Sequence, residues 1–396
     1  MIAALNILLL EDSEIDADIL IMFLNRQKIK FVHTRVWTRE QFIGALELSS
    51  YDIIIADHSL PQFTGMDAFR IMKSKEKTQG TPFILLTGTV PEHILIQYAK
   101  EGVDEYILKD NLLRLPSAID HLITKKKIEL LLKKLETAHR EIQDSIACAK
   151  RIQNSILPDK ELLKEIASES FILFKPKDKV SGDFYFFRKD ESGSLITVAD
   201  CTGHGVPGAM MSMVGIEKLN NLFRKIRNPS EILKKLNKSL RTALSAGDFE
   251  SSEGMDIAVC QIENDSNTLK FSGANRPLWI IRKGQTEVEE IEGTKSAIGY
   301  NFANIENPEY ECHEIKLNEG DTFYIFSDGF ADQFGGEKNK KITTKKFKQQ
   351  LLSIQDKTML EQGNYLNDFL ENWMGAEEQI DDILVIGIRK EKSLSV

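Results

Sequence analysis

Cysteine is scarce in this 396-residue chain, which holds four: Cys148, Cys201, Cys260 and Cys312. No two stand at C-x-x-C spacing, so neither a zinc knuckle nor a dithiol redox motif is indicated. Apolar runs of the roughly 20 residues that span a bilayer are also lacking. The apolar start, residues 1–10, has no basic n-region and runs straight into an acidic turn, which predicts a strand and not a signal peptide. Basic charge is in deficit, with 51 Lys plus Arg against 60 Asp plus Glu and a net charge of −9. The short runs Lys125-Lys126-Lys127 and Lys133-Lys134 fit a solvated helix face, not the basic stripe that holds nucleic acid. The expectation is a cytoplasmic protein with reduced thiols, no membrane span and no nucleic-acid partner.

Proline and glycine are absent from residues 122–156. Apolar or small residues recur there at Ile128, Leu131, Leu135, Ala138, Ile142, Ser145, Ala149, Ile152 and Ile156. The steps alternate three and four, which makes a heptad seam, and Pro158 ends the helix. Such a helix either packs on its own domain or pairs with a second copy as a coiled coil. The seam favours a homodimer, and its small residues leave the pairing weak enough for an input to shift it. The chain thus divides into residues 1–121, a helical coiled-coil linker at 122–157, and residues 158–396.

In the first part, short apolar runs at 7–10, 53–56, 83–86 and 106–108 alternate with amphipathic stretches. This is the pattern of buried parallel strands with helices between them, in a doubly wound α/β domain. The carboxyl ends of neighbouring strands in such a sheet meet at one crevice. Glu11, Asp12 and Asp57 stand at those ends, and a hard divalent cation relieves the repulsion among carboxylates gathered there. Thr87 brings a hydroxyl and Lys109 an ammonium point charge to the same crevice.

The stretches Leu8-Leu9-Leu10-Glu11-Asp12, Asp57-His58-Ser59-Leu60-Pro61, Leu86-Thr87-Gly88 and Leu108-Lys109-Asp110 resemble the response-regulator receiver family. The resemblance implies a flavodoxin-like fold and a phosphoryl group accepted by Asp57 from a histidine kinase. It implies one Mg²⁺ at Glu11, Asp12 and Asp57, helped by the carbonyl of Ser59. Thr87 and Tyr106 become the pair that reports phosphorylation, beside Lys109.

Beyond residue 170 the pattern changes to longer strands with turn signals, at 195–199, 257–262, 269–272, 278–281, 322–326 and 383–388, around helical stretches at 208–224 and 230–246. Aspartates recur at strand ends: Ser181-Gly182-Asp183, Asp200-Cys201-Thr202-Gly203-His204-Gly205, Ser327-Asp328-Gly329 and Asp381-Asp382. Four such positions suggest a two-metal centre, with ions about 3.5–4 Å apart that activate water against a phosphate ester.

These motifs, with Gly273-Ala274-Asn275-Arg276-Pro277, resemble the PPM phosphatases, most closely their SpoIIE-like branch. The resemblance implies an α-β-β-α sandwich and two Mn²⁺ or Mg²⁺ ions. It implies Asp183, Asp200, Asp328 and Asp381 as metal carboxylates, the carbonyl of Cys201 as a further ligand, Asp382 as the alternative to Asp381, and Asp256 as an auxiliary candidate. His204 either donates a proton to the leaving oxygen or orders its loop. Arg276 either grips the substrate phosphate or is a surface arginine. The substrate implied is phosphoserine or phosphothreonine on an anti-sigma-factor antagonist of the STAS type. A metal-free binding scaffold is the alternative output. His139 on the linker is a weaker rival as a phosphotransfer residue, since no nucleotide-binding segment follows it.

Overall fold

The computed structural model describes residues 4–88, 92–191, 193–244, 253–263, 267–299 and 308–391. It comprises two units, Met1–Glu141 and Ile142–Val396.

The first unit is built on five parallel strands: β1 (Leu5–Leu10), β2 (Phe31–Val36), β3 (Ile53–Asp57), β4 (Phe83–Thr87) and β5 (Glu105–Leu108). Their order is β2-β1-β3-β4-β5, the doubly wound arrangement whose crevice lies between β1 and β3. Helices α1 (Glu14–Arg26), α2 (Arg39–Leu48), α3 (Gly65–Lys73) and α4 (Glu92–Glu101) connect them. Cores on both faces bury β3 and β4 entirely, which is why those strands read as unbroken apolar runs. Capping boxes at Thr38 and Thr64 start α2 and α3. Gly65 lets α3 approach the end of β3, because a Cβ there would lie 2.5 Å from the Asp57 carbonyl oxygen.

Helix α5 runs unbroken over Leu115–Ile156, with Pro116 in the first turn where its missing N–H costs nothing. Its 42 residues are about 63 Å long at 1.5 Å per residue. Ile128, Leu131, Leu135, Ile142 and Ile152 of the expected seam are each at least half exposed. No helix among the described residues is long and apolar enough to cross a membrane.

The second unit stacks two five-stranded antiparallel sheets. One joins β7 (Phe184–Asp190), β8 (Gly193–Cys201), β9 (Met255–Glu263), β10 (Thr268–Ala274) and β13 (His313–Lys316) in the order β13-β10-β9-β8-β7. The other joins β6 (Ser170–Lys175), β11 (Leu278–Ile281), β12 (Glu289–Ile291), β14 (Thr322–Phe326) and β17 (Ile383–Arg389) in the order β12-β11-β14-β17-β6. A short hairpin of β15 (Phe334–Gly335) and β16 (Lys340–Lys341) stands apart.

Strand alternation divides the apolar residues between three cores. On β8, Ile196 and Val198 meet the opposing sheet, whereas Leu195 and Ala199 meet α7 (Gly205–Phe223) and α8 (Pro229–Leu244). The outer face of the second sheet is covered by α10 (Thr343–Ser353) and α11 (Met359–Met374), with Trp279, Phe326, Phe330 and Phe347 between them. Short helices α6 (Lys160–Ile166) and α9 (Gly329–Asp332) complete an α-β-β-α sandwich. The last two residues of the expected helix 230–246 lie outside the described ones.

Candidate functional site

In the first unit the carboxylates of Glu11, Asp12 and Asp57 offer oxygens all within 4.8 Å of one another. Lys109 Nζ joins them, 3.0 Å from Glu11 Oε2 and 3.1 Å from Asp57 Oδ2. Burial pushes the Glu11 carboxyl up, while its hydrogen bond from Lys109 pulls the other way. The ion pairs hold Lys109 charged, overcoming the burial that opposes it. Lys109 also reaches Asp16 Oδ2 of α1 at 2.9 Å, a partner the sequence motifs did not mark. Thr87 Oγ1 at the end of β4 is buried and has no partner among the described atoms, so its hydroxyl is available to an incoming oxygen. Ser59 follows two residues after Asp57 and is exposed, and Tyr106 is half-buried on the sheet edge. The donor set is oxygen-rich and acidic, which suits Mg²⁺.

In the second unit a cavity of about 250 Å³ is lined by Asp200, Cys201, Thr202, Gly203, His204, Asp256, Arg276, Asp328 and Asp381. Antiparallel pairing sets Asp200 directly opposite Asp256 across β8 and β9. Asp328 leaves β14, and Asp381 precedes β17, its neighbour in the sheet. Asp183, just before β7, is buried behind them, and its Oδ2 has no partner among the described atoms. Burial, then the Asp200 charge, push the Asp183 carboxyl well above the carboxylate range. The Asp200 carboxyl is pushed up to about 7 by burial, with Arg276 pulling down and Asp328, Asp381 and Asp256 pushing further up. An orphaned buried carboxylate oxygen beside crowded acids is the donor set a pair of hard divalent ions fits.

Two glycines let the backbone close around this centre. A Cβ on Gly182 would sit 2.5 Å from the Gly203 carbonyl oxygen, and one on Gly208 would sit 2.1 Å from the same atom. The Asp381-Asp382 pair divides its work. Asp382 accepts N–H bonds from Lys177 at 2.7 Å and Gly182 at 2.7 Å, so it ties loops together. Asp381 lines the cavity.

Arg276 is no surface residue. Its Nη2 donates to Asp200 Oδ2 at 2.6 Å and Asp328 Oδ2 at 2.8 Å, with Asp256 Oδ2 3.2 Å away. His204 sits at the N-terminus of α7 without capping it through its side chain. Its Nδ1 faces Asp178 Oδ2 at 2.8 Å and its Nε2 faces Lys177 Nζ at 3.1 Å. The Cys201 thiol is buried and pushed far up by that burial, so it is no nucleophile.

Gln153, in the last turns of α5, was not legible as a functional residue. It is buried and spans two elements of the centre. Its Nε2 donates to Ser181 O at 2.6 Å and Ser212 Oγ at 2.9 Å, and its Oε1 accepts from the Ser181 N–H at 3.1 Å. Ser181 is two residues before Asp183, and Ser212 lies on α7. A glutamine one position off the seam carries no periodic signal of its own.

Comparison with known families decides what this centre belongs to. The family description "Stage II sporulation protein E (SpoIIE)" matches residues 190–391, about half of the chain. The chain belongs to the SpoIIE family. The response regulator receiver domain description matches residues 7–120, so the family's phosphatase fold follows a receiver domain here. The solved SiaA-PP2C domain of Pseudomonas aeruginosa is 34% identical, with a TM-score of 0.58 over 64% of this chain and 99% of that one. Phosphoserine phosphatase RsbU of Bacillus subtilis (strain 168) is 27% identical over 200 residues, 50% of this chain and 56% of that protein. Phosphoserine phosphatase RsbP of the same organism is 24% identical over 191 residues, 46% of this chain and 44% of that protein. The chain spans about half the length of these curated relatives. Its C-terminal part is a protein serine/threonine phosphatase domain of the PP2C type.

Proposed function

We propose that the chain is a response regulator whose output is metal-dependent removal of phosphate from serine or threonine on a partner protein, controlled through Asp57. The observation that carries this reading is the meeting of Asp183, Asp200, Asp328 and Asp381 from separate elements, with Asp183 Oδ2 buried and unpartnered. Those four carboxylates and the Cys201 carbonyl would hold two Mn²⁺ or Mg²⁺ ions, which supply a metal-activated water and polarise the phosphate ester. Asp200 and Asp328, which both line the cavity, are the carboxylates assigned to catalysis. His204, held by Asp178, is the proton donor for the leaving oxygen. Arg276 keeps the carboxylates of Asp200, Asp256 and Asp328 together.

A histidine kinase supplies the phosphoryl group to Asp57, beside one Mg²⁺ at Glu11, Asp12 and the Ser59 carbonyl. Thr87, Lys109 and Tyr106 read the added charge. The substrate class is a small phosphorylated anti-sigma-factor antagonist, supported by the phosphoserine phosphatases the chain resembles. The exposed seam of α5 pairs two copies, and the domain limits are those given by the seam, 1–121, 122–157 and 158–396. Control enters where Gln153 holds Ser181 and Ser212, because a shift of α5 moves the segment that carries Asp183.

Hydrolysis of p-nitrophenyl phosphate tests the reaction. The native chain is expected to be active with Mn²⁺ and inactive after chelation. Asp328→Asn is expected to lose at least about 100-fold, the range seen when a transition-state contact of this kind is removed. Full activity in that variant rejects the assignment.

A further inference from the structure

Two cations flank the carboxylate centre, and they are used differently. Arg276 already faces three carboxylates, Asp200, Asp256 and Asp328. Lys177 Nζ is 3.1 Å from His204 Nε2, and no carboxylate among the described residues lies within ion-pair distance of it. We propose that Lys177 holds the phosphate of the substrate, with His204 and Asp178 setting its position. This rests on the phosphatase reading above.

An ammonium has only N–H groups to give, so His204 Nε2 accepts from Lys177. The ring hydrogen then belongs to Nδ1, where Asp178 Oδ2 takes it at 2.8 Å. Asp178 thereby fixes the tautomer that leaves Nε2 free to aim the lysine. One of the three N–H groups of Lys177 is spent on a neutral ring, and its charge acts on the cavity-lining Asp381 carboxyl from beyond ion-pair distance. A phosphate monoester is the anionic ligand that matches a compact point charge at the edge of a metal centre.

The backbone holds this arrangement in place. The Lys177 N–H donates to Asp382 Oδ1 at 2.7 Å, next to the cavity-lining Asp381. His204 lies between Gly203 and Gly205, whose φ angles are +79° and +67°. A Cβ on Gly205 would come within 3.2 Å of Asp178 Oδ2, so the turn is shaped to receive that carboxylate. When Lys177 turns to the phosphate it releases Nε2, which is then placed to take the proton of the attacking water and hand it to the leaving oxygen. The same movement therefore prepares His204 to donate to the leaving oxygen.

The test is binding of inorganic phosphate to the full-length, Mn²⁺-loaded chain by calorimetry, together with phosphate inhibition of p-nitrophenyl phosphate hydrolysis. Lys177→Gln is expected to weaken phosphate about tenfold, a loss of about 1.4 kcal/mol, and to raise KM more than it lowers kcat, with Mn²⁺ affinity unchanged. Lys177→Arg, which keeps the charge, stays near the native value, and Asp178→Asn falls between. Native phosphate affinity in Lys177→Gln overturns the proposal. So does loss of Mn²⁺ in that variant, which makes the lysine a support of the metal centre. A native chain that binds Mn²⁺ and phosphate without turnover sinks the phosphatase reading while leaving this comparison intact.

Discussion

Gln153 grips both backbone groups of Ser181: its Nε2 donates to the Ser181 carbonyl at 2.6 Å, and its Oε1 accepts the Ser181 N–H at 3.1 Å. The contact is buried, so its loss strands the Ser181 N–H and leaves the Ser181 carbonyl with only the 3.4 Å bond from Ser212 Oγ. A stranded group costs about 1–3 kcal/mol. Gln153→Ala is therefore expected to lower the unfolding free energy by about 2 kcal/mol or more. It should also cut Mn²⁺-dependent hydrolysis by at least about tenfold, because Asp183 sits two residues further on. A normal rate in a folded Gln153→Ala chain removes α5 from the control of catalysis.

Asp381 and Asp382 are adjacent but face different tasks, and paired variants separate them. Asp381→Asn is expected to weaken Mn²⁺ about tenfold or more while leaving the melting temperature nearly unchanged. Asp382→Asn removes acceptor charge from the N–H groups of Lys177 and Gly182. It is expected to cost about 1–3 kcal/mol of stability. Calorimetric Mn²⁺ titration and thermal unfolding on both variants read the two effects, and the reverse pattern exchanges the roles.

Metal affinity should depend on pH in a defined direction. Burial holds the Asp200 carboxyl near 7 and raises those of Asp183 and Asp381. A raised carboxyl keeps its proton to higher pH, and a metal must displace it. Mn²⁺ affinity is therefore expected to fall as pH drops from 8 through about 7, with protons released on binding. Titrations in buffers of different ionisation enthalpy measure that release, and an affinity flat between pH 6 and about 8 contradicts it.

Pairing through α5 predicts a change of mass. Leu131 and Leu135 are 56% and 66% exposed on the seam. Replacing both with Glu places like charges at facing core positions of a coiled coil, which disfavours pairing. Sedimentation equilibrium should find a dimer for the native chain and a monomer for the double variant. A native chain that is monomeric at every concentration reached in the cell rules the seam out.

Gly208 offers a purely steric check. Its missing Cβ would lie 2.1 Å from the Gly203 carbonyl oxygen and 2.9 Å from the Gly182 Cα. Gly208→Ala must push α7 away from the metal-site loop. Overpacking of this kind costs about 1–3 kcal/mol, and activity should fall further than stability does.

Much of this was legible in the sequence because strand ends and motifs coincide. The runs at 53–56 and 83–86 announced β3 and β4, since strands buried on both faces have no polar alternation to blur them. Strands β11 and β14 fall where their apolar runs stand, at Leu278–Ile281 and Thr322–Phe326. Edge strands were hidden: β12 is Glu289–Ile291, mostly charged and exposed, and carries no apolar signal. Strand β7 begins with four successive buried aromatics, Phe184 to Phe187, and so lacks the alternation of a half-exposed strand. The buried Asp183 and the cavity-lining Asp200 and Asp328 could be picked out by the glycines one to three residues away. Gln153, Lys177 and Asp178 could not, because their roles come from contacts across 28 residues or more for Gln153 and 26 or more for the other two.

The most direct test of the account is Mn²⁺-dependent hydrolysis by the full-length chain with and without a small-molecule phosphodonor such as acetyl phosphate, run on native protein and on Asp57→Ala. The phosphodonor is expected to raise the native rate and to leave Asp57→Ala at its basal rate. Equal stimulation of both, or none of the native chain despite stoichiometric phosphorylation of Asp57, would contradict it.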